Sequence, residues 1–399
     1  MKPNTQHLAL PFFDEVHRAL GADLVDWAAI QRVDETDDRT ACREWVNLLG
    51  VSGWLRYCVP AKFGGALHKL DSRALVILRE TLAFHSPLAD FVFAMQGLGS
   101  GAITLAGTDA QQAAYLPHVA SGQKIAAFAL SEADAGSDAG AMTTSAAVAN
   151  DGWVINGSKT WISNGGIADF YVTFVKTDLT LGVRGITPFI VDANNPGLDT
   201  SAHIAVMAPH PLATLVFNAC AVPATSQLGE LNGGFKLAMR TLDIFRASVA
   251  AAALGMARRA LCEAISYSKQ RVMFGGKLAD FQLTQAKLGE MAALVDAAAL
   301  LTYRAAWLRD EGERTGKVVR ITAEADNRRD VSVAAAMAKM TATENAQRVI
   351  DMALQMHGGL GVKVGSKVES LYRDIRSLRI YEGATEVQQL IIGKALIKG

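Results

Sequence analysis

The hydrophobic period of this chain changes twice, and those two changes constrain its fold more than any single motif. From about Phe12 to Gln123 apolar residues recur at helical spacing. From about Ile125 to Ala224 short runs rich in β-branched or aromatic residues take over. Trp153-Val154-Ile155 leads into the turn pair Asn156-Gly157, and Asp169 to Val175, Ile186 to Val191 and Thr214 to Phe217 follow. After Gly233-Gly234 the helical period returns, and beyond Asp280 a stripe of Phe281, Leu288, Met291, Val295, Ala298, Leu301, Ala305 and Leu308 lines one helix face. The order predicts an α+β chain: an N-terminal α-helical domain over residues 1–124, a middle antiparallel, barrel-like β domain over 125–232, and a C-terminal helical bundle over 233–399. Four bundle helices are expected, at about 235–270, 280–312, 320–357 and 385–397. Lys62-Phe63-Gly64-Gly65 and the Gly97 to Gly101 cluster are expected to break the first helical stretch.

Composition narrows the class. Of 399 residues 50% are hydrophobic and 20% charged, which excludes a disordered or collagen-like chain. The 39 basic residues balance the 39 acidic ones, so no global field draws the protein to nucleic acid or anionic lipid, and neither is expected as a partner. No unbroken run of apolar residues long enough to span a bilayer occurs, and Met1 to Pro11 lacks the apolar stretch of a signal peptide, so a cytoplasmic location is the expectation. Cys42, Cys58, Cys220 and Cys262 form no CxxC pair and have no histidines at ligand spacing; they read as packed, reduced thiols, with no metal site implied.

Three segments carry groups suited to chemistry. The run Ala129-Leu130-Ser131-Glu132-Ala133-Asp134-Ala135-Gly136-Ser137-Asp138 concentrates small residues, hydroxyls and backbone amides; it can bind a planar, heteroatom-rich ligand or simply link the helical and β parts. In Trp161-Ile162-Ser163-Asn164-Gly165-Gly166 an aromatic plane and a hydroxyl share one side if the segment is a strand, and a core tryptophan is the plain alternative. In Tyr381-Glu382-Gly383-Ala384-Thr385-Glu386 a carboxylate in apolar surroundings would have a raised pKa suited to removing a proton. It would equally serve as a helix-start acid, with Thr385 as cap. Gly359-Leu360-Gly361 follows a helix and is next followed by Gly365, so the dinucleotide fingerprint is not met, and Gly358 and Gly359 also suit a helix end.

In this order, on an α–β–α chain of this length, these segments resemble the acyl-CoA dehydrogenase family of flavoproteins from about Asp71 to Leu396. The resemblance implies FAD as cofactor. Phe128, Leu130, Ser131, Gly136, Ser137, Trp161 and Ser163 would surround it: Ser131 at the pyrimidine end, Trp161 packed on the ring, Ser163 near N5, and Ser137 where cofactor and thioester meet. Arg271 to Gly275, including Phe274, with Gln282, is similar to the family's segment that reaches the FAD of a neighbouring subunit. Gln355, Gly358 and Gly359 correspond to contacts with its pyrophosphate and ribose, so a homo-oligomer, dimer or tetramer, is implied. Ala384 and Glu386 complete the cofactor set, Ala384 standing where many members carry threonine. Glu382 matches the catalytic base of the Tyr-Glu-Gly motif, with Ser137, Asp243, Arg246 and Gly383 on the substrate side. Members that place the base just before the arginine of Asp-x-x-Arg have no counterpart here, because Asp243-Ile244-Phe245-Arg246 puts Phe245 there, where its bulk would also restrict branching of the substrate.

The activity so implied is α,β-dehydrogenation of an acyl-CoA thioester in fatty acid metabolism, with electrons passed to an electron-transfer flavoprotein. An oxidase or a dehydrogenase of carrier-protein thioesters shares the fold and stays open. Glu382 argues against a monooxygenase, and balanced charge against a nucleic-acid-binding flavoprotein, for which a basic C-terminal surface would be needed.

Overall fold

The computed structural model describes residues 1–316 and 327–397. Five helices come first: α1 (Glu15–Ile30), α2 (Asp38–Val51), α3 (Ser72–His85), α4 (Pro87–Ala106) and α5 (Asp109–Ala120). Local chemistry sets their starts. The Asp37 carboxylate accepts the Thr40 N–H at 2.8 Å ahead of α2, and Thr108 with Gln111 forms a capping box on α5. Seven strands follow: β1 (Ala126–Ala129), β2 (Ser145–Ala149), β3 (Gly152–Ser163), β4 (Phe170–Lys176), β5 (Ile186–Asp192), β6 (Leu198–His203) and β7 (Leu212–Pro223). After them come α6 (Gly234–Gln270), the short hairpin β8 (Val272–Met273) and β9 (Gly276–Lys277), α7 (Gln282–Thr315), α8 (Asn327–His357), α9 (Lys367–Leu378) and α10 (Thr385–Ile397).

The α–β–α order agrees with the period changes, and five details differ. The sheet, ordered β1-β4-β2-β3-β7-β6 with β5 also on β4, is mixed rather than antiparallel: β1 runs parallel to β4. A hairpin cannot make that pairing, but β1 enters from a helix and reaches β4 through the β2–β3 excursion. Asn156-Gly157 is not a turn. β3 continues through it as a bulge against β7, with Gly157 at φ +132° and the Asn156 side-chain oxygen accepting the Ala219 N–H at 2.8 Å. Nor does the Gly97 to Gly101 cluster break α4. A Cβ on Gly99 would lie 2.7 Å from that of Ala126, so the glycine allows the helix to approach β1 closely. A fifth C-terminal helix, α9, was not expected, since its many charges obscure the buried stripe Val368, Leu371, Ile375 and Leu378. The expected start of the third bundle helix, 320–326, lies outside the described residues. Finally, α4 and α7 are long and apolar enough to cross a membrane by length and composition, although no unbroken apolar run announced them; α4 is 83% buried, as a core helix is.

The chain forms two compact units. One, helical, comprises Met1–Arg32, Ser72–Asp90 and Asp243–Gly399. Its core is the buried Ala- and Leu-rich face of α6 from Val249 to Leu254, with Tyr303 of α7 and Val349 and Ile350 of α8. The other comprises Val33–Asp71 and Phe91–Leu242 and holds α2, α5 and the seven-stranded sheet. β4 is buried at all seven positions, as its pairing with β1, β2 and β5 requires.

Candidate active site

In the helical unit the turn between α9 and α10 carries two successive residues in the left-handed region. Glu382 has φ +52° and Gly383 φ +92°. Glycine takes that region freely, but for glutamate it costs roughly 1–3 kcal/mol and persists only when its surroundings impose it. Two side chains hold the turn through one atom: the Gly383 carbonyl accepts from Lys339 Nζ at 2.7 Å and from Gln388 Nε2 at 2.9 Å. Two more hold its far side, where Glu344 Oε1 accepts from the Thr385 hydroxyl at 2.6 Å and from Arg379 Nε at 2.8 Å. Thr385 is thus the first residue of α10 and a tether to α8 rather than a cap, and the acid in the first turn of α10 is Glu386. The helix-start reading of Glu382 therefore fails.

Both carboxylate oxygens of Glu382 are buried and have no hydrogen-bond partner. Burial raises its pKa; Arg79, Lys339 and Arg246 oppose that rise, and Asp90 adds to it. Arg79 is itself fully buried, forking onto Asp90 at 2.8 and 2.9 Å and donating to Ser248 Oγ at 3.0 Å. Lys339 is fully buried too, and burial brings its pKa down to about 8 against the pull of Glu382. Arg246 pairs with Asp243, which also accepts the Ser332 hydroxyl at 3.3 Å; burial raises the Asp243 pKa and Arg246 opposes it. Phe245 is buried. The arrangement is a free, desolvated carboxylate in a field of three cations, able to take a proton from a weakly acidic carbon. It gathers Glu382, Gly383, Asp243 and Arg246, and adds Arg79, Asp90, Lys339 and Gln388, which sequence reasoning missed. Their only signal was a charged or amide group set in a run of apolar or alanine positions.

In the unit that holds the sheet, the Ser131 turn is pinned by a buried ion pair. Lys159 Nζ donates to Glu132 Oε1 at 2.8 Å and to the Leu130 carbonyl at 2.9 Å, while Glu132 also accepts from the Thr143 and Thr144 amides at 2.7 and 3.0 Å. Burial works against the Glu132 charge, but Lys159, Thr144 and Thr143 outweigh it and bring its pKa down to about 2. The Thr160 N–H donates to the Ser131 carbonyl at 3.0 Å, so Leu130 and Ser131 adjoin the Trp161 segment. Trp161 is not a core residue: it stands at a bulge with φ +60° and is 56% exposed. Ile162, between it and Ser163, is buried, and Ser163 is half-buried and pairs with Leu212. Gly136 and Ser137 are exposed, and Phe128 on β1 packs against the Phe174 ring at 4.9 Å.

A separate groove of about 920 Å³ opens in the helical unit, lined by Arg271, Lys287, Gln355, His357, Gly358 and Gly359 among others. Gly358, at φ +56°, ends α8, so these glycines both terminate a helix and wall a cavity. Tyr267 stacks on His357 at 4.3 Å and stiffens that wall. Phe274, 89% exposed at the tip of the β8–β9 hairpin, and Gln282, at the start of α7, are not part of the lining. Ala384 and Glu386 belong to the Glu382 segment rather than to the groove.

Family models for the N-terminal, middle and C-terminal domains of acyl-CoA dehydrogenases match residues 13–123, 127–220 and 232–397. The chain is 38% identical over 394 residues to a 3-(aryl)acrylate reductase of Clostridium sporogenes, covering 97% of this chain and 100% of that protein. It is 37% identical over 359 residues to the CarC subunit of the caffeyl-CoA reductase-Etf complex of Acetobacterium woodii, covering 89% and 90%. Among solved structures, butyryl-CoA dehydrogenase from Megasphaera elsdenii superposes with a TM-score of 0.86 at 33% identity, over 96% of this chain and 99% of that one.

Proposed function

Because this chain belongs to the acyl-CoA dehydrogenase family, whose members are FAD-dependent oxidoreductases, we propose that it catalyses α,β-dehydrogenation of an acyl-CoA thioester with Glu382 as the base. The observation that carries this reading is the buried, unpartnered carboxylate of Glu382 on its left-handed turn. An acyl thioester's α-proton is weakly acidic, so the base must be desolvated and its lone pairs free. Taking the proton neutralises Glu382, which burial favours, while Arg79, Lys339 and Arg246 pull the other way, toward the ionised form. Phe245, at the position before Arg246, cannot take the proton. The Glu382 backbone N–H is the protein's donor to the thioester oxygen as charge builds there.

The residues fit FAD. Cβ atoms added to Gly358 and Gly359 would point into open space, leaving room for a phosphate-bearing ligand beside Arg271 and Lys287. Trp161 presents its ring outward next to the pinned Ser131 turn. Phe128, Leu130, Ser131, Gly136, Ser137, Trp161 and Ser163 would hold the flavin, and Arg271, Phe274, Gln282, Gln355, Gly358 and Gly359 the cofactor of a second copy, with Ala384 and Glu386 completing the set. When bound, FAD supplies the hydride acceptor. An electron-transfer flavoprotein is the proposed redox partner, in keeping with the Etf complex for which one relative is named. A homo-oligomer is proposed as well, supported by the exposed Phe274 and Leu283. Two relatives are named as reductases, and the same base run backwards returns a proton to the α-carbon, so both directions belong to the reading.

The test is anaerobic mixing with a panel of saturated acyl-CoAs, aryl-propionyl thioesters included, followed by flavin absorbance. The wild type should bleach with one acyl class. Glu382→Gln should keep its flavin and slow by about 10²–10⁴-fold. Bleaching of Glu382→Gln at the wild-type rate would remove Glu382 from the role.

A further inference from the structure

Lys339 directly follows the run Val333 to Ala338 of α8, a stretch of valine, alanine and methionine, and is fully buried, yet its ammonium donates to a backbone carbonyl, that of Gly383. The carboxylate of Glu382, one residue away, has no partner. A direct Lys339–Glu382 hydrogen bond would occupy the lone pairs that a base needs. The fold instead anchors the cation beside the carboxylate and leaves the carboxylate free. Gln388 of α10, also fully buried, donates to the same Gly383 oxygen, and a Cβ on Gly383 would stand 2.5 Å from its Nε2. The turn that carries Glu382 is therefore gripped from two helices at the Gly383 carbonyl.

We propose that Lys339 and Gln388 are positioning residues for the reaction: by clamping the Gly383 carbonyl they hold Glu382 left-handed with its carboxylate unpartnered. Proton transfer at the α-carbon depends on them although neither removes the proton. This rests on the reading of Glu382 as base. The charged groups facing Lys339 are Glu382 on the turn, Arg246 on α6, Glu344 on α8 itself and Glu386 on α10; those facing Glu382 further include Arg79 on α3 and Asp90 on α4. A neutral amine is a weaker donor than an ammonium. The clamp therefore loosens as Lys339 loses its proton near pH 8, which gives it a signature that a purely structural lysine lacks.

The experiment compares flavin-loaded wild type, Lys339→Met, Lys339→Arg, Gln388→Leu and Glu382→Gln. The readouts are exchange of the substrate α-hydrogen with deuterated water and the pH profile of flavin bleaching, at matched flavin content. Lys339→Met should lose about 10²-fold in exchange with substrate affinity unchanged, and should lose the alkaline limb near pH 8; Lys339→Arg should recover most of the rate. Gln388→Leu, which keeps the cation, should lose about 10-fold, and it carries the test if Lys339→Met does not fold. Wild-type exchange in either variant that folds, with the alkaline limb intact, overturns the clamp. If Glu382→Gln still exchanges, the base reading itself falls and the clamp falls with it. If Glu382→Gln is silent while Lys339→Met and Gln388→Leu behave as wild type, only the clamp falls.

Discussion

Replacing Arg79 with methionine removes the one partner that the buried Asp90 forks with and the first of the cations beside Glu382. The size of the effect follows from what Asp90 can do next. Burial already pushes its carboxyl up and Arg79 holds it back. Without Arg79, Asp90 at neutral pH escapes an unpaired buried charge by taking a proton, which caps the cost. From its ordinary value of 3.8 to pH 7 that uptake costs about 1.36 kcal/mol per pH unit, or roughly 4 kcal/mol in all, and the lost bond to Ser248 adds about 1 kcal/mol. In the variant the folded-state pKa of Asp90 lies above the unfolded one, so stability is retained below pH 4 and falls as pH rises toward neutrality. Calorimetric melting of the holoprotein between pH 5 and 7.5 reads this. In a helical unit of roughly 200 residues, at ~2–4 °C per kcal/mol, Arg79→Met should melt about 10–20 °C lower at pH 7 and about half as much lower at pH 5. Arg79→Met combined with Asp90→Asn should recover much of the loss and flatten the pH dependence. A loss in the single variant that is the same at pH 5 and pH 7, or a double variant no better than the single, would refute the argument.

Two further outcomes follow from features of the other segments. Gly99→Ala should destabilise the unit that holds the sheet by about 1–3 kcal/mol, since its Cβ would meet both the side chain and the backbone of Ala126; an unchanged melting profile would show that α4 can shift. Arg271→Ala should lower flavin content after gel filtration while leaving the melting of the apoprotein unaltered, because Arg271 is exposed; full flavin retention would remove it from the cofactor set.

The order of helical and β segments was legible because period is a local property: β4 and the stripe on α7 announce themselves within a dozen residues. The failures share a cause as well. Gly97 to Gly101 and Asn156-Gly157 read as punctuation, yet the structure uses these glycines for close approach, to β1 in one case and to Thr144 in the other. Nothing within a few residues tells these uses apart. Trp161 read also as core, and in the structure it stands exposed at a bulge. Around Glu382 the motif singled out the carboxylate but not what surrounds it. Arg79 meets Ser248 at a separation of 169 residues, and Lys339 meets Gly383 at 44, so each was simply a charge in an apolar helix until the fold supplied its partner.

The split of the chain into units also bears on how the protein is made. The sheet-bearing unit ends at Leu242, so its parts have all left the ribosome while α7 to α10 are still to come. The helical unit contains α1 and α3, which are synthesised early, and the turn around Glu382, which is synthesised late. Its closure is thus post-translational or nearly so. Until then Arg79 and Asp90 have no Glu382 beside them. A chain stalled after β7 would leave the apolar faces of α1 and α3 without the helices that complete their unit, and only a nearly completed polypeptide acquires the turn that carries Glu382.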